Sequence, residues 1–223
     1  GEYAYRREEG RPMGSFYGYR YKGVCQNKDA TYARDADGNV MKDISGNANV
    51  MRNGTATIAP GDALYEDINH DGVINQYDIV YLGNSNPRFT GGAGVNVSYK
   101  QFKLSAIFYG RYGQDVVRGI DNQSTAVLRR WRNEGDQTDI PRALYGEGYN
   151  TLGSDRFVED ASYLRLKSLS FNYRLPKKII QRWGFSNIDV YVTGYNLFTW
   201  TKYTGQDPEV KTENTYARDS ATT

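Results

Sequence analysis

The chain has 223 residues, 28 Lys and Arg against 26 Asp and Glu, and a formal charge of +2. A near-neutral balance with no basic block gives nucleic-acid binding no support, and a charged fraction of 24% argues against a disordered tail. No run of ~18 apolar residues exists, which excludes a transmembrane helix but not a β-barrel, whose strands turn only alternate residues to lipid.

With 20 Tyr and 24 Gly the composition favours β-structure with long polar loops. The mean hydropathy of −0.73 is polar, as barrel strands allow. Cys25 is the single cysteine, so no intrachain disulfide forms. The opening GEYAYRREEG has no basic n-region followed by an apolar core. The expectation is therefore no signal peptide, hence a cytoplasmic protein or an internal piece of a longer precursor. No tandem repeat is evident.

Residues 14–25, GSFYGYRYKGVC, alternate aromatics with small or basic residues and read as a strand. Residues 26–66 read as a polar excursion. Within it Asp35-Ala-Asp37-Gly38-Asn39 reads as a tight turn, because Asp-Gly and Gly-Asn supply positive φ angles.

The stretch EDINHDGVINQYDIVYLGN, from Glu66 to Asn84, follows. An EF-hand loop needs oxygen donors at positions 1, 3 and 5, Gly at 6, a carbonyl at 7, a side chain or water at 9 and a carboxylate at 12. Counted from Asp67, these are Asp67, Asn69, Asp71, Gly72, Val73, Asn75 and Asp78. Ile74 fills the usual inward apolar place, and His70 points away from the ion. An all-oxygen set suits calcium and disfavours zinc or copper. Asp in place of Glu at the last position shortens the reach. The same residues also suit a polar turn held by Asx hydrogen bonds.

Two hairpins come next. In residues 91–113, Val95, Val97 and Tyr99 alternate with polar or small residues. A turn at Lys100-Gln101 leads to Phe102, Leu104, Ala106 and Phe108 in alternation. Each arm is about ten residues, enough to cross a bilayer at a tilt. The second hairpin covers roughly 162–201. Its first arm changes parity, with Leu164 and Leu166 even but Leu169, Phe171, Tyr173 and Leu175 odd. Period-2 structure cannot do this without a bulge, predicted near Lys167–Ser168. The linker PKKIIQRWGFS predicts a short helical turn, with Pro176 at N1 and Gly184 past its end.

Short connections (100–101, 176–187) thus fall on one side and long ones (26–90, 112–161) on the other. That is the asymmetry of outer-membrane barrels, and also one a soluble β-sandwich can show.

Four stretches carry a family resemblance: EGRPMGSFYGYRYKGVCQN (9–27), PGDALYEDINHDGVINQYDIVYLGNSNPRFTGG (60–92), SDRFVEDASYLRLKSLSFNYRLPKK (154–178) and VYVTGYNLFTWTKYTGQDPEV (190–210). In order and together, they resemble the C-terminal end of SusC/RagA-type TonB-linked outer-membrane transporters. The resemblance implies an all-β fold, an antiparallel transmembrane β-barrel of about 22 strands with a plugged lumen and long extracellular loops. This chain supplies four clear membrane strands and a less clear fifth. Plug, TonB-contacting segment and earlier strands are expected to lie outside it. So is a closing strand beyond RDSATT, because an open edge in lipid leaves backbone groups unsatisfied.

The resemblance further implies import of a large nutrient, an oligosaccharide or peptide, across the outer membrane of a Gram-negative bacterium. A SusD-like surface lipoprotein serves as lid, and the TonB complex supplies energy. Within that frame the acidic loop is expected to hold a structural calcium on the extracellular side. Trp183 and Trp200 fit an interfacial girdle against outer-membrane lipid. Trp131, with Arg130 and Arg132 in the long outer loop, is a candidate for substrate or lid contact, beside a plain loop-stabilising role.

Catalysis has little support, because His70 is the only histidine and carboxylate pairs such as Glu159-Asp160 need a geometry that sequence does not show. Two rivals remain open at this stage: a secreted calcium-binding adhesion or cellulosome-like module, and an outer-membrane barrel enzyme. The substrate is not legible.

Overall fold

A computed structural model describes residues 9–118, 128–144, 148–205 and 207–209. Parts of the predicted long loop (119–127 and 145–147) and the closing RDSATT lie outside the described residues. Two compact units form. One takes the described residues of Gly1–Ser85 and Val117–Glu159, the other those of Asn86–Val116 and Asp160–Glu213.

In the first unit, β1 (Ser15–Gly18) and β2 (Tyr21–Val24) occupy the segment read as one strand. β3 (Arg52–Asn53), β4 (Ala56–Thr57) and β5 (Ala63–Tyr65) lie in the polar excursion, and β6 (Val80–Asn84) follows the acidic loop. The single strand expected over 14–25 is therefore two. Between them Tyr19 turns its amide to the Gly153 carbonyl, at 2.9 Å, so β1 pairs with β6 while β2 pairs with β5. Gly18 passes so near Gly153 that an added Cβ would lie 2.4 Å from its carbonyl oxygen.

The excursion has a core of its own. Cys25, Ala33, Met51, Ile58, Ala63, Tyr65 and Ile74 are buried together. Full burial of each larger side chain contributes about 1.5–3 kcal/mol. Tyr65 meets Tyr149 edge-on, with ring centroids 5.3 Å apart. Burial pushes the Cys25 thiol up to about 12, which makes it an inert filler.

A short repeat also escaped the sequence reading. Asp35-x-x-Gly38-Asn39 recurs as Asp43-x-x-Gly46-Asn47. Asp35 Oδ1 accepts from the Asp37 and Asn39 amides, and Asp43 Oδ1 accepts from those of Ser45 and Asn47. These are Asx turns, and Gly38 and Gly46 take φ of 85° and 83°. Ala33, Met41 and Asn49, eight residues apart on either side of the two turns, close a ring of three backbone hydrogen bonds. The second copy is in plain view in the sequence, with Ile44 in place of Ala36 and Ser45 in place of Asp37.

The second unit is a four-stranded antiparallel sheet. β7 (Phe89–Tyr99) and β8 (Phe102–Tyr112) make the first hairpin. β9 (Asp115–Val117) and β10 (Val158–Asp160) are short and lie where the chain passes between units. β11 (Tyr163–Arg174) and β12 (Asp189–Thr201) make the second hairpin, and the sheet order is β12-β11-β8-β7. Lys100 takes φ 53° in the predicted tight turn.

The predicted bulge is where the parity change put it. Leu166 and Ser168 face Phe108 and Ile107 of β8, leaving Lys167 as the extra residue. Against β12 the same step spans Phe198 to Tyr195, and Asn196 there takes φ 51°. The linker holds α1 (Lys177–Ile180), a further 3-10 turn and Gly184 at φ 75°. Pro176 sits at the N-cap, one place earlier than expected.

Candidate functional site

The register sorts the wall into two faces. Partners across β7 and β8 are Val95↔Ala106, Val97↔Leu104 and Tyr99↔Phe102 on one face, and Asn96↔Ser105 and Ser98↔Lys103 on the other. The bulge keeps β11 and β12 in step: Leu169, Phe171 and Tyr173 join the apolar face, while Ser170, Asn172 and Arg174 join the polar one. Val192 is 69% exposed, Phe198 60% and Val97 53%. Apolar exposure on this scale marks a surface that meets lipid or protein. A secreted adhesion module would have to cover it. Ile107 is an exception, lying on the polar side between Gly94 and Ser168.

The acidic loop is closed by hydrogen bonds among the residues predicted to ligate. Asp67 Oδ2 accepts from the Gly72 amide at 2.7 Å, and Asp71 Oδ1 from that of Val73 at 2.8 Å. The Asn69 amide group donates to Asp71 Oδ2, and that of Asn75 donates to the Val73 carbonyl. Asp78 is fully buried and joins the two ends of the loop: Oδ1 accepts from Ile68 and Oδ2 from Asn75, both at 2.8 Å. Asn75 and Asp78 thereby form a capping box for the 3-10 turn Gln76–Asp78.

Ile74 is buried in the first unit's core, as its place in the pattern requires. The backbone at 72–74 pairs with Arg52, whose amide donates to Gly72 and whose carbonyl accepts from Ile74. The loop is single, but β3 gives it a partner strand. Gly72 at φ 79° makes the turn.

Charge in the loop is unbalanced. Burial raises the Asp67 carboxyl above its usual range; the Gly72 amide opposes this, and the charges of Asp78 and Asp71 add to it. Arg20 and Lys22 are taken by Glu66, which both bridge at 2.7 Å. Among the described residues no three acidic, His or Cys side chains gather as a metal cluster by themselves. A cation here would need Asn69, Asn75 and the Val73 carbonyl as well, which is what the EF-hand pattern uses.

Trp131 stacks its ring on Gly61, and its amide donates to Ile140. Arg132 donates from its backbone to Asp136 and from its guanidinium to the Leu128 carbonyl. Arg130 is half-buried beside them. Next to Gly61, Asp62 takes a bidentate pair with Arg142 at 2.7 and 3.1 Å and is also bonded by Asn150. Asp62, Arg142 and Asn150 stand in no sequence motif; Pro60-Gly61-Asp62 is the one local signal for the group.

A two-hairpin antiparallel sheet of eleven- to thirteen-residue strands, with an exposed apolar face and a polar one, matches the wall of a transmembrane β-barrel. No family model matches the chain. TonB-dependent receptor P3 of Formosa agariphila is 34% identical over 218 residues, 92% of this chain and 19% of that protein. TonB-dependent receptor P26 of the same organism is 35% identical over 159 residues, 67% of this chain and 16% of its own length. Among solved structures, the RagAB peptide importer in its open-open state aligns at TM-score 0.58 and 20% identity, over 96% of this chain and 22% of that one. The RagAB peptide transporter aligns at TM-score 0.60 and 23% identity, over 87% and 20%.

The chain belongs to the TonB-dependent receptors, and its fold is shared with part of RagAB. It spans about a fifth of the length of the relatives it matches. These are receptors and transporters by name, none an enzyme.

Proposed function

We propose that the chain forms wall and outer loops of a TonB-dependent importer of a large nutrient, an oligosaccharide or peptide. The single observation that carries this is the division of β7, β8, β11 and β12 into one apolar and one polar face, kept in phase across the bulge at Lys167. The named relatives support the TonB link, and RagAB, by name a peptide importer, supports a peptide as one of the two cargo classes. On this reading the first unit is extracellular and meets a SusD-like lipoprotein. Trp131, Arg130 and Arg132 lie on the same unit and are candidates for contact with that lid or the substrate.

The acidic loop fits calcium. Asp67, Asn69, Asp71, Asn75, Asp78 and the Val73 carbonyl would hold it. Its chemistry would be structural, neutralising carboxylates that no described ion pair reaches.

The test is deletion of the receptor gene, followed by uptake of a panel of oligosaccharides and peptides. Loss of uptake of one class, matched by TonB depletion, is expected. Unchanged uptake of every compound would overturn the proposal. For the ion, limited proteolysis of residues 60–90 should slow with calcium. Cleavage indifferent to a chelator would remove calcium from the account.

A further inference from the structure

The polar face of the wall carries a site that none of the above requires. Arg165 projects from β11 on that face and is 7% exposed. Its guanidinium has a partner in three directions: Nε donates to Thr199 Oγ1 at 3.0 Å, Nη1 to Glu209 Oε2 at 2.9 Å and Nη2 to Asp207 Oδ1 at 2.6 Å. Lys167, the extra residue of the bulge, adds its ammonium to Glu209 at 3.2 Å. A bulge re-aims a side chain, and this one sets a second cation beside the first. Tyrosines flank both, with Arg165 5.3 Å from the Tyr163 ring centroid and Lys167 5.2 Å from that of Tyr109.

The two sides of the contact are unequal. The Arg165 side chain is 9% exposed and that of Asp207 57%, while Lys167 and Glu209 lie between them at 38% and 26%. The wall side is built in, fixed by Thr199 and by strand pairing. The acidic side is a three-residue turn, in which Asp207 Oδ1 also accepts from the Glu209 amide and Pro208 fixes φ. Such a turn arrives at the site as a ligand does, with two carboxylates set for a planar fork and an ammonium.

We propose that Arg165 and Lys167 form a carboxylate-binding site on the polar face of the wall, held here by Asp207 and Glu209 as an internal ligand, and that a ligand bearing two carboxylates displaces them. Two positive charges meet two negative ones, so a dicarboxylate exchanges for the turn without leaving a buried charge unpaired. The chemistry is common to acidic peptides and to oligouronates.

The experiment uses purified full-length receptor in detergent, with hydrogen exchange read over residues 202–209. Tri-glutamate and tri-galacturonate are the probes, and tri-glutamine and maltotriose the neutral controls, all at matched ionic strength. At least one acidic probe should speed exchange saturably, by about tenfold, and the neutral ones should not; which acidic probe acts names the source. R165Q should speed exchange with no probe present and abolish the response. D207N/E209Q, altered in the turn only, should bind the effective probe about tenfold tighter than wild type, because its turn no longer competes. Exchange indifferent to both acidic probes, or equal probe affinity in wild type and D207N/E209Q, would overturn the proposal. The measurement needs no transport, so its outcome is separate from that of the uptake test.

Discussion

Trp131 packs on Gly61 so closely that a Cβ built on the glycine would lie 2.2 Å from the indole ring. Gly61 also takes φ +88°, a conformation that side chains resist. Two residues 70 positions apart in the chain therefore depend on each other. Gly61→Ala meets both penalties, overpacking and left-handed backbone, and is expected to destabilise the first unit by about 2–4 kcal/mol. Denaturant unfolding followed by tryptophan fluorescence reads this directly. A loss below the scatter of surface mutants would mean the ring simply moves aside.

Asp62 ties Arg142 and Asn150 to the segment after Gly61. Its side chain is 4% exposed and that of Arg142 37%, so water screens one partner. Asp62→Asn keeps the shape but removes the charge. It is expected to cost about 2 kcal/mol, below the 3–5 of a fully buried pair. The same unfolding assay measures it, and Asp35→Asn, at an exposed turn, is the control.

The Asp67 carboxyl has its folded pKa raised above 3.8. The folded state then holds this proton more tightly than the unfolded state, so stability falls as pH rises. Without calcium, protection of 60–90 from protease should be greatest below 3.8 and decline as pH rises through the raised folded value. Bound calcium reverses the sign, because the ion needs the carboxylate. Protection measured across pH with calcium and with chelator should give slopes of opposite sign. Parallel slopes would show that no ion enters the loop.

Phe171 and Asn172 are neighbours on opposite faces of β11. Phe171→Arg puts a charge into lipid and is expected to cost about 2–4 kcal/mol at mid-depth, while Asn172→Arg on the polar face should cost less than about 1. Heat-modifiable mobility of the full receptor on gels separates the two. Equal loss from both would place Phe171 against protein.

The wall and the loop differ in how much of each was legible from local pattern. The bulge at Lys167 followed from the parity of Leu164, Leu166, Leu169 and Phe171, because a strand has period two and one extra residue flips every side chain beyond it. The hydrogen-bonded closure of the acidic loop followed from spacing, because Asp67, Asp71, Asn75 and Asp78 lie within one short segment. The Asp62–Arg142 and Gly61–Trp131 contacts join distant segments, and no local period announces them.

By itself, then, the sequence determined the two hairpins, their faces, the bulge and the composition of the acidic loop, all of which depend on residues within a few places of each other. Only the tertiary structure decided that the segment over 14–25 splits between two partners, since Gly153 captures the Tyr19 amide. The tertiary structure also decided that the polar excursion encloses a core around Tyr65 and Ile74, that Asp78 closes the loop through Ile68, and that Asp207 and Glu209 return to Arg165. Each of those depends on which distant group reaches a buried donor or charge first, and burial is a property of the assembled chain.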